Sequence, residues 1–139
     1  MNVMIPVRPD GSVEPRFGKA PAVAVAGLDP STGEITSWQV HQVDWDRLHD
    51  EGTEGSHHAR IVRFLRDNDV RAVVATHVGP GMQRTLASMG LPMLLATDPD
   101  ARTAVALAVR AALPAAPGEA TTPSDGTGTG GGTGTGQGR

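Results

Sequence analysis

The chain has 139 residues, 12 Lys and Arg against 15 Asp and Glu, a formal net charge of −3 and no cysteine. A nucleic-acid or anionic-membrane surface normally needs clustered positive charge, and no Lys/Arg block occurs here, so neither partner is expected. The absence of cysteine excludes disulfides, thiolate nucleophiles and cysteine-ligated zinc or iron–sulfur sites, leaving histidine, carboxylate, methionine or backbone oxygen as the metal ligands on offer.

The first element expected is a strand over Val3–Val7, closed by Arg8-Pro9-Asp10-Gly11 and followed by a loop carrying Arg16-Phe17-Gly18. Ala22–Gly27 has the small and β-branched alternation of a second strand. Asp29-Pro30-Ser31-Thr32-Gly33 is a turn, in which Pro presets φ and Gly admits its positive values. Ile35–Val43 is the third strand, with Trp38 and Val40 on one face and Ser37, Gln39 and His41 on the other. The connections are too short for helical crossovers, so these strands form an antiparallel meander.

Asp44–Gly55 is a polar, acidic loop that also holds His49. Ser56 is the expected N-cap of a first helix, whose apolar stripe is Ile61, Val62, Phe64 and Leu65. The run Val70–Val78 delivers His77 to the turn Gly79-Pro80-Gly81, from which a second helix leaves with Met82, Leu86 and Met89 on one face and Gly90 at its end. Leu91–Ala96 is a fifth strand. Asp98-Pro99 is expected to cap a third helix lined by Ala101, Ala104, Val105, Ala108, Val109 and Ala112. From Pro114 onward Gly, Thr, Pro and Ser dominate, a composition that buries too little apolar surface to offset ordering. The expectation is one domain over residues 1–113 and a disordered tail over 114–139. With no signal-like segment and no membrane-length apolar run, a cytoplasmic location is expected.

The order βββαβαβα, with right-handed crossovers, implies an α/β fold with one five-stranded mixed sheet and helices on its faces. Tracking strand direction brings one set of loops to a single edge, the place where open α/β sheets bind ligands. The Arg16-Phe17-Gly18 loop, His41, His49, His57, His58, His77 and Asp98 all fall there. Imidazoles converging at strand ends suit Zn, Fe, Ni or Cu. The Gly79-Pro80-Gly81 turn lets backbone N–H groups at a helix start face an anion, and Arg16 can add charge for the same group. Phe17 is expected to pack the loop onto the sheet, with Gly18 giving backbone freedom. The bland alternative is that the histidines are structural, one of His57 and His58 leaning inward to bond a carbonyl.

Met1-Asn2-Val3-Met4-Ile5-Pro6-Val7, Glu14-Pro15-Arg16-Phe17-Gly18-Lys19-Ala20, Ser56-His57-His58 and Val73-Val74-Ala75-Thr76-His77-Val78-Gly79-Pro80-Gly81-Met82, in that order, resemble the dinitrogenase iron–molybdenum cofactor biosynthesis domain family over about the first 113 residues. The resemblance implies a ribonuclease-H-like α/β fold and a small protein that binds or carries iron–sulfur or iron–molybdenum cluster precursors, often without catalysis. Family members commonly have His-Phe-Gly where Arg16-Phe17-Gly18 stands, and glycine where His77 stands. A nuclease on such a fold needs a carboxylate on the first strand to hold Mg²⁺, and Val3–Val7 has none.

The expected function is thus a non-enzymatic binding or carrier protein for a metal or cluster precursor. His57, His58 and His77, with His41, are its metal ligands; Arg16, Phe17, Gly18, Gly79 and Gly81 receive the anionic part. Its partners are the cluster or a small anion and, through the family, cofactor-assembly proteins. The alternative is a regulatory or protein-interaction domain that binds a small anion or a partner at the same edge.

Overall fold

A computed structural model describes residues 1–112. The proposed tail, 114–139, lies outside the described residues. Five strands form one mixed sheet: β1 (Asn2–Val7), β2 (Ala22–Leu28), β3 (Ile35–Gln42), β4 (Val70–Ala75) and β5 (Met93–Leu95). Their spatial order is β3-β2-β1-β4-β5. β1 pairs antiparallel with β2 and β2 with β3, whereas β1–β4 and β4–β5 are parallel. The meander and both parallel steps follow the expected α/β pattern. The Asp29–Gly33 turn also forms as expected, with Asp29 Oδ1 accepting from the amides of Ser31 and Thr32 and Gly33 at φ +77°.

The strands β1, β2 and β4 are buried on both faces, so each residue parity feeds a different core. On one face Val3, Ile5, Ala24, Ala26 and Val74 pack against helix α4 (Ala101–Ala112) through Ala101, Ala104, Val105 and Ala108. On the other, Met4, Val23, Val25 and Val73 lie under α1 (Trp45–Leu48), α2 (Glu54–Asp67) and α3 (Pro80–Ser88), with Phe17, Trp45, Ile61, Leu65 and Leu86 between. Both faces remove apolar surface from water, the dominant stabilising term. Among the described residues no helix is long and apolar enough to cross a membrane.

Three local expectations need correction. The N-cap of α2 is Thr53, not Ser56: Thr53 Oγ1 accepts from the Ser56 amide while Ser56 Oγ accepts from the Thr53 amide, a reciprocal capping box. Ser56 is therefore the box's inner partner, and His57 and His58 sit one turn inside the helix. The acidic loop contains a short helix, α1, entered through Asp44 in the left-handed region at φ 56° and fixed by burial of Trp45. At α4, Asp100 does the capping expected of Asp98, its Oδ2 accepting from the Thr103 amide and hydroxyl; Asp98 Oδ1 instead accepts from the Asp100 amide. The α3 boundaries agree with expectation: Pro80 opens the helix after Gly79, and Gly90 follows it at φ +73°.

Candidate functional site

The site grows out of the β1–β4 pairing. Because these strands are parallel neighbours, the segments leaving their carboxyl ends run side by side, and Arg16 pairs with His77 in an isolated parallel bridge beyond the sheet. The Phe17 amide donates to the His77 carbonyl at 3.4 Å. Phe17 opens a single 3-10 turn, Phe17–Lys19, and is 2 % exposed, with its ring 6.0 Å from that of Trp45. It thus packs the loop down, as expected.

Arg16 is held from behind by Glu14. This carboxylate is buried, accepts from the Arg16 amide at 3.0 Å and from Arg16 Nε at 3.2 Å, and has Arg8 Nε at 3.6 Å. Burial alone would raise its pKa; hydrogen bonds and charge from Arg16, with help from Arg8, outweigh that and lower it. Glu14 therefore stays ionised and fixes one edge of the Arg16 guanidinium, whose side chain remains 63 % exposed.

A cavity of about 630 Å³ opens above this bridge. Arg16, Gly18 and Lys19 form one wall and His77 with Gly79, Pro80 and Gly81 another. His57, His58 and Ile61 of α2 also line it, as do His49 and Met82. Among the described residues no aspartate or glutamate lines it. The first turn of α3 faces the cavity, and the N–H groups of a first turn have no acceptor inside their own helix.

His57 is 3 % exposed, and both its ring nitrogens are engaged. The Gly18 carbonyl can only accept, so Nε2 donates to it at 2.7 Å, which leaves Nδ1 as the acceptor for Arg60 Nη1 at 2.7 Å. Burial is the main cause lowering the His57 pKa, opposed by the Gly18 bond and reinforced by Arg60, His49 and His58. His57 is thus a neutral strut joining α2 to the Arg16-Phe17-Gly18 loop. His49 packs edge-on against it, with ring centroids 5.2 Å apart, and lies 3.3 Å from Asp50 through Nδ1.

Of the residues expected at the site, Arg16, Phe17, Gly18, His57, His58, His77, Gly79 and Gly81 line this one cavity. His41 does not. It lies on β3 with its ring 5.2 Å from Phe64, edge to face, and its Nε2 buried without a hydrogen-bond partner. Asp98 is also absent from the lining. Among the described residues no three His, Asp or Glu side chains are grouped to hold a metal ion, so His57, His58, His77 and His41 do not form a preassembled ligand cage. Gly18 and Gly79 have open space where a Cβ would stand and lie outside the left-handed region, so neither turn depends on glycine; their bare backbones leave room on the cavity side. Lys19, His49 and Arg60 complete the site. The α1 turn carries His49, and the i, i+3 spacing of His57 and Arg60 on a helix was the available signal for their contact.

Residues 1–111 match the family model described as dinitrogenase iron-molybdenum cofactor, and the chain belongs to that family. Among solved structures it is similar to the protein PH0822, at 15% identity and a TM-score of 0.61, over 80% of this chain and 92% of that one. The apo form of the orange protein from Desulfovibrio gigas aligns at 18% identity and a TM-score of 0.59, over 83% and 92%. A protein of Methanocaldococcus jannaschii aligns at 17% identity and 0.57, over 80% and 89%. At these identities the likeness speaks for the fold. No curated protein matches the chain.

Proposed function

We propose that this protein is a non-enzymatic, cytoplasmic carrier or binding domain whose cargo is an anionic metal–sulfur cluster precursor of the iron–sulfur or iron–molybdenum type, exchanged with cofactor-assembly proteins. The observation that carries the reading is the cavity in which Arg16, Lys19, His49, His58 and His77 meet the start of α3, with no carboxylate among its described lining residues. A bare divalent cation prefers a preassembled cage containing carboxylates or several imidazoles, and such a grouping is missing among the described residues. A polyanion instead gains from a guanidinium, an ammonium and helix-start N–H groups together. Family membership supports the same class of cargo. In this scheme His58 and His77 present imidazole nitrogens to the cluster, Arg16 and the Gly79–Gly81 turn take up its charge, and His57 positions the Gly18 wall.

A second reading, a regulatory domain binding a small oxyanion at the same cavity, draws on the full engagement of both His57 nitrogens. The two are separated by anaerobic incubation with ferrous iron, sulfide and tetrathiomolybdate, or with molybdate alone, followed by desalting and metal analysis. The carrier reading expects metal and sulfide retained together by wild type and lost from a His58→Ala/His77→Ala variant. Retention of molybdate but not of the thiometallate would favour the regulatory reading, and no retention by wild type would defeat both.

A further inference from the structure

The two edges of the sheet are finished differently. β5 is three residues long, whereas β3 is eight and forms the opposite edge. Exposed edges are ordinarily blunted by charge, proline, bulges or brevity. Ile35-Thr36-Ser37-Trp38-Gln39-Val40-His41-Gln42 contains no Asp, Glu, Lys, Arg or Pro. Its one irregularity is the register shift opposite Gly27 and Leu28, which leaves Ser37–Gln42 in regular pairing with β2. Thr36, Ser37, Gln39, Val40 and Gln42 are exposed, Val40 at 58 %.

The hydrogen-bond phase fixes what this edge offers. Val43 donates to the Pro21 carbonyl, so the odd positions 41, 39 and 37 turn their N–H and C=O groups toward β2, and 38, 40 and 42 turn theirs outward. The outward-facing positions include Trp38 and Val40, on the α4-side face. Over Trp38, α4 lays Arg102, whose guanidinium carbon is 4.9 Å from the ring centroid; Val40 stays exposed.

We propose that β3 is the self-association surface of this protein, and that its occupant is the β3 of a second copy, paired antiparallel about a two-fold axis at Gln39. Such an axis keeps each face of the sheet continuous, so opposed residues must have the same parity. Pairing centred on Gln39 sets Trp38 of each copy against Val40 of the other, and their outward N–H and C=O groups bond reciprocally. Ser37 then opposes His41, and Gln39 opposes itself. No charged residue of the strand meets another. The flanking Asp44 is already bridged to Arg47 at 3.1 Å and leaves the sheet through its left-handed turn. Pairing consumes both long edges and leaves only the two short β5 edges, so the assembly closes as a dimer instead of growing. An eight-residue edge is small for a protein interface, so the dimer is weak and concentration-dependent. The proposal is independent of the cavity, whose lining includes no β3 residue.

Sedimentation velocity on the full chain over about a hundred-fold concentration range tests it. Wild type is expected to shift from monomer to dimer, while Val40→Lys, which places charge in the paired edge at an exposed position, stays monomeric with unchanged circular dichroism. Because the chain has no cysteine, register can be read by oxidation: Gln39→Cys should cross-link to dimer several-fold faster than Ser37→Cys, since only position 39 faces its own copy. Monomeric wild type at every concentration, a dimer that Val40→Lys leaves intact, or equal cross-linking at 37 and 39 would overturn the proposal.

Discussion

The two faces of the sheet do different jobs with different residue sizes. The α4 face is rich in small side chains, with Ala22, Ala24, Ala26 and Ala72 in one cluster with Ala101, Ala104 and Ala108, so a single helix packs along the strands. The α1–α3 face is built from Trp45, Phe17, Met4, Ile61, Leu65 and Leu86, which pack three helices over the sheet, with the cavity beside the starts of α2 and α3. Close packing of small residues makes a scaffold, and bulky residues under several helix ends make room for a site. The contrast also explains why the polar struts, Glu14 and His57, serve the second face: loops held at a distance need directional bonds that a flush helix does not.

This comparison is broken most severely at Trp45. It is 2 % exposed and touches Phe17, Phe64 and His57, so Trp45→Ala should cost about 3–5 kcal/mol by cavity formation. Urea unfolding checks this, and the cavity residues should loosen with it. On the other face the opposite error matters. Ala104 is fully buried, and Ala104→Leu should cost about 1–3 kcal/mol by forcing α4 off the sheet, while cargo retention by the folded fraction is unchanged.

His57 gives an effect of similar or smaller size with a pH signature. His57→Ala removes the donor to the Gly18 carbonyl and leaves Arg60 Nη1 only its longer bond to the Leu48 carbonyl, a loss of about 1–3 kcal/mol. The folded-state pKa lies below the ordinary 6.5, so above 6.5 both folded and unfolded chains hold the ring neutral. As pH falls through 6.5 the unfolded chain takes up a proton that the folded chain refuses, and stability declines until the folded-state value is reached. Denaturant midpoints on either side of pH 6.5 should show this slope in wild type and a shallower one in His57→Ala; identical slopes would refute the neutral-strut assignment. The smallest stability effect belongs to Gly79→Ala. With open space at the added methyl and an ordinary φ of −64°, it should stay within about 0.5 kcal/mol of wild type while narrowing the cavity mouth and weakening cargo retention.

Element order, strand direction and the positions of α2–α4 can be read from the sequence because alternation in β2 and β3, the Asp29–Gly33 turn and the apolar spacing of α2–α4 are local signals. Other features depend on tertiary partners. Thr53 and Ser56 are both hydroxyl residues, and sequence does not say which is cap and which is inner partner until the backbone closes the box. α1 is one turn long and held by the burial of Trp45, which leaves no periodic trace. The Arg16–His77 bridge follows from β1 and β4 being neighbours, so the convergence of Arg16, His77 and the Gly79–Gly81 turn was expected from strand direction. The inward lean of His57 was also foreseeable from helical spacing. Its two partners were not, because Gly18 is 39 residues away in the chain. Its position late in β3 suggests His41 for the edge, whereas its ring packs edge-on with that of Phe64 of α2.

The claim that a cavity bearing Arg16 and Lys19 holds an anionic cluster rests most directly on Arg16, which Glu14 orients and whose side chain is largely exposed. The decisive measurement is metal and sulfide bound per chain after anaerobic loading with ferrous iron, sulfide and tetrathiomolybdate, compared between wild type and Arg16→Gln. The account predicts stable retention by wild type and at least about a tenfold weaker affinity in the folded variant, a change of about 1.4 kcal/mol. Equal retention by the two proteins, or none by wild type, would contradict it.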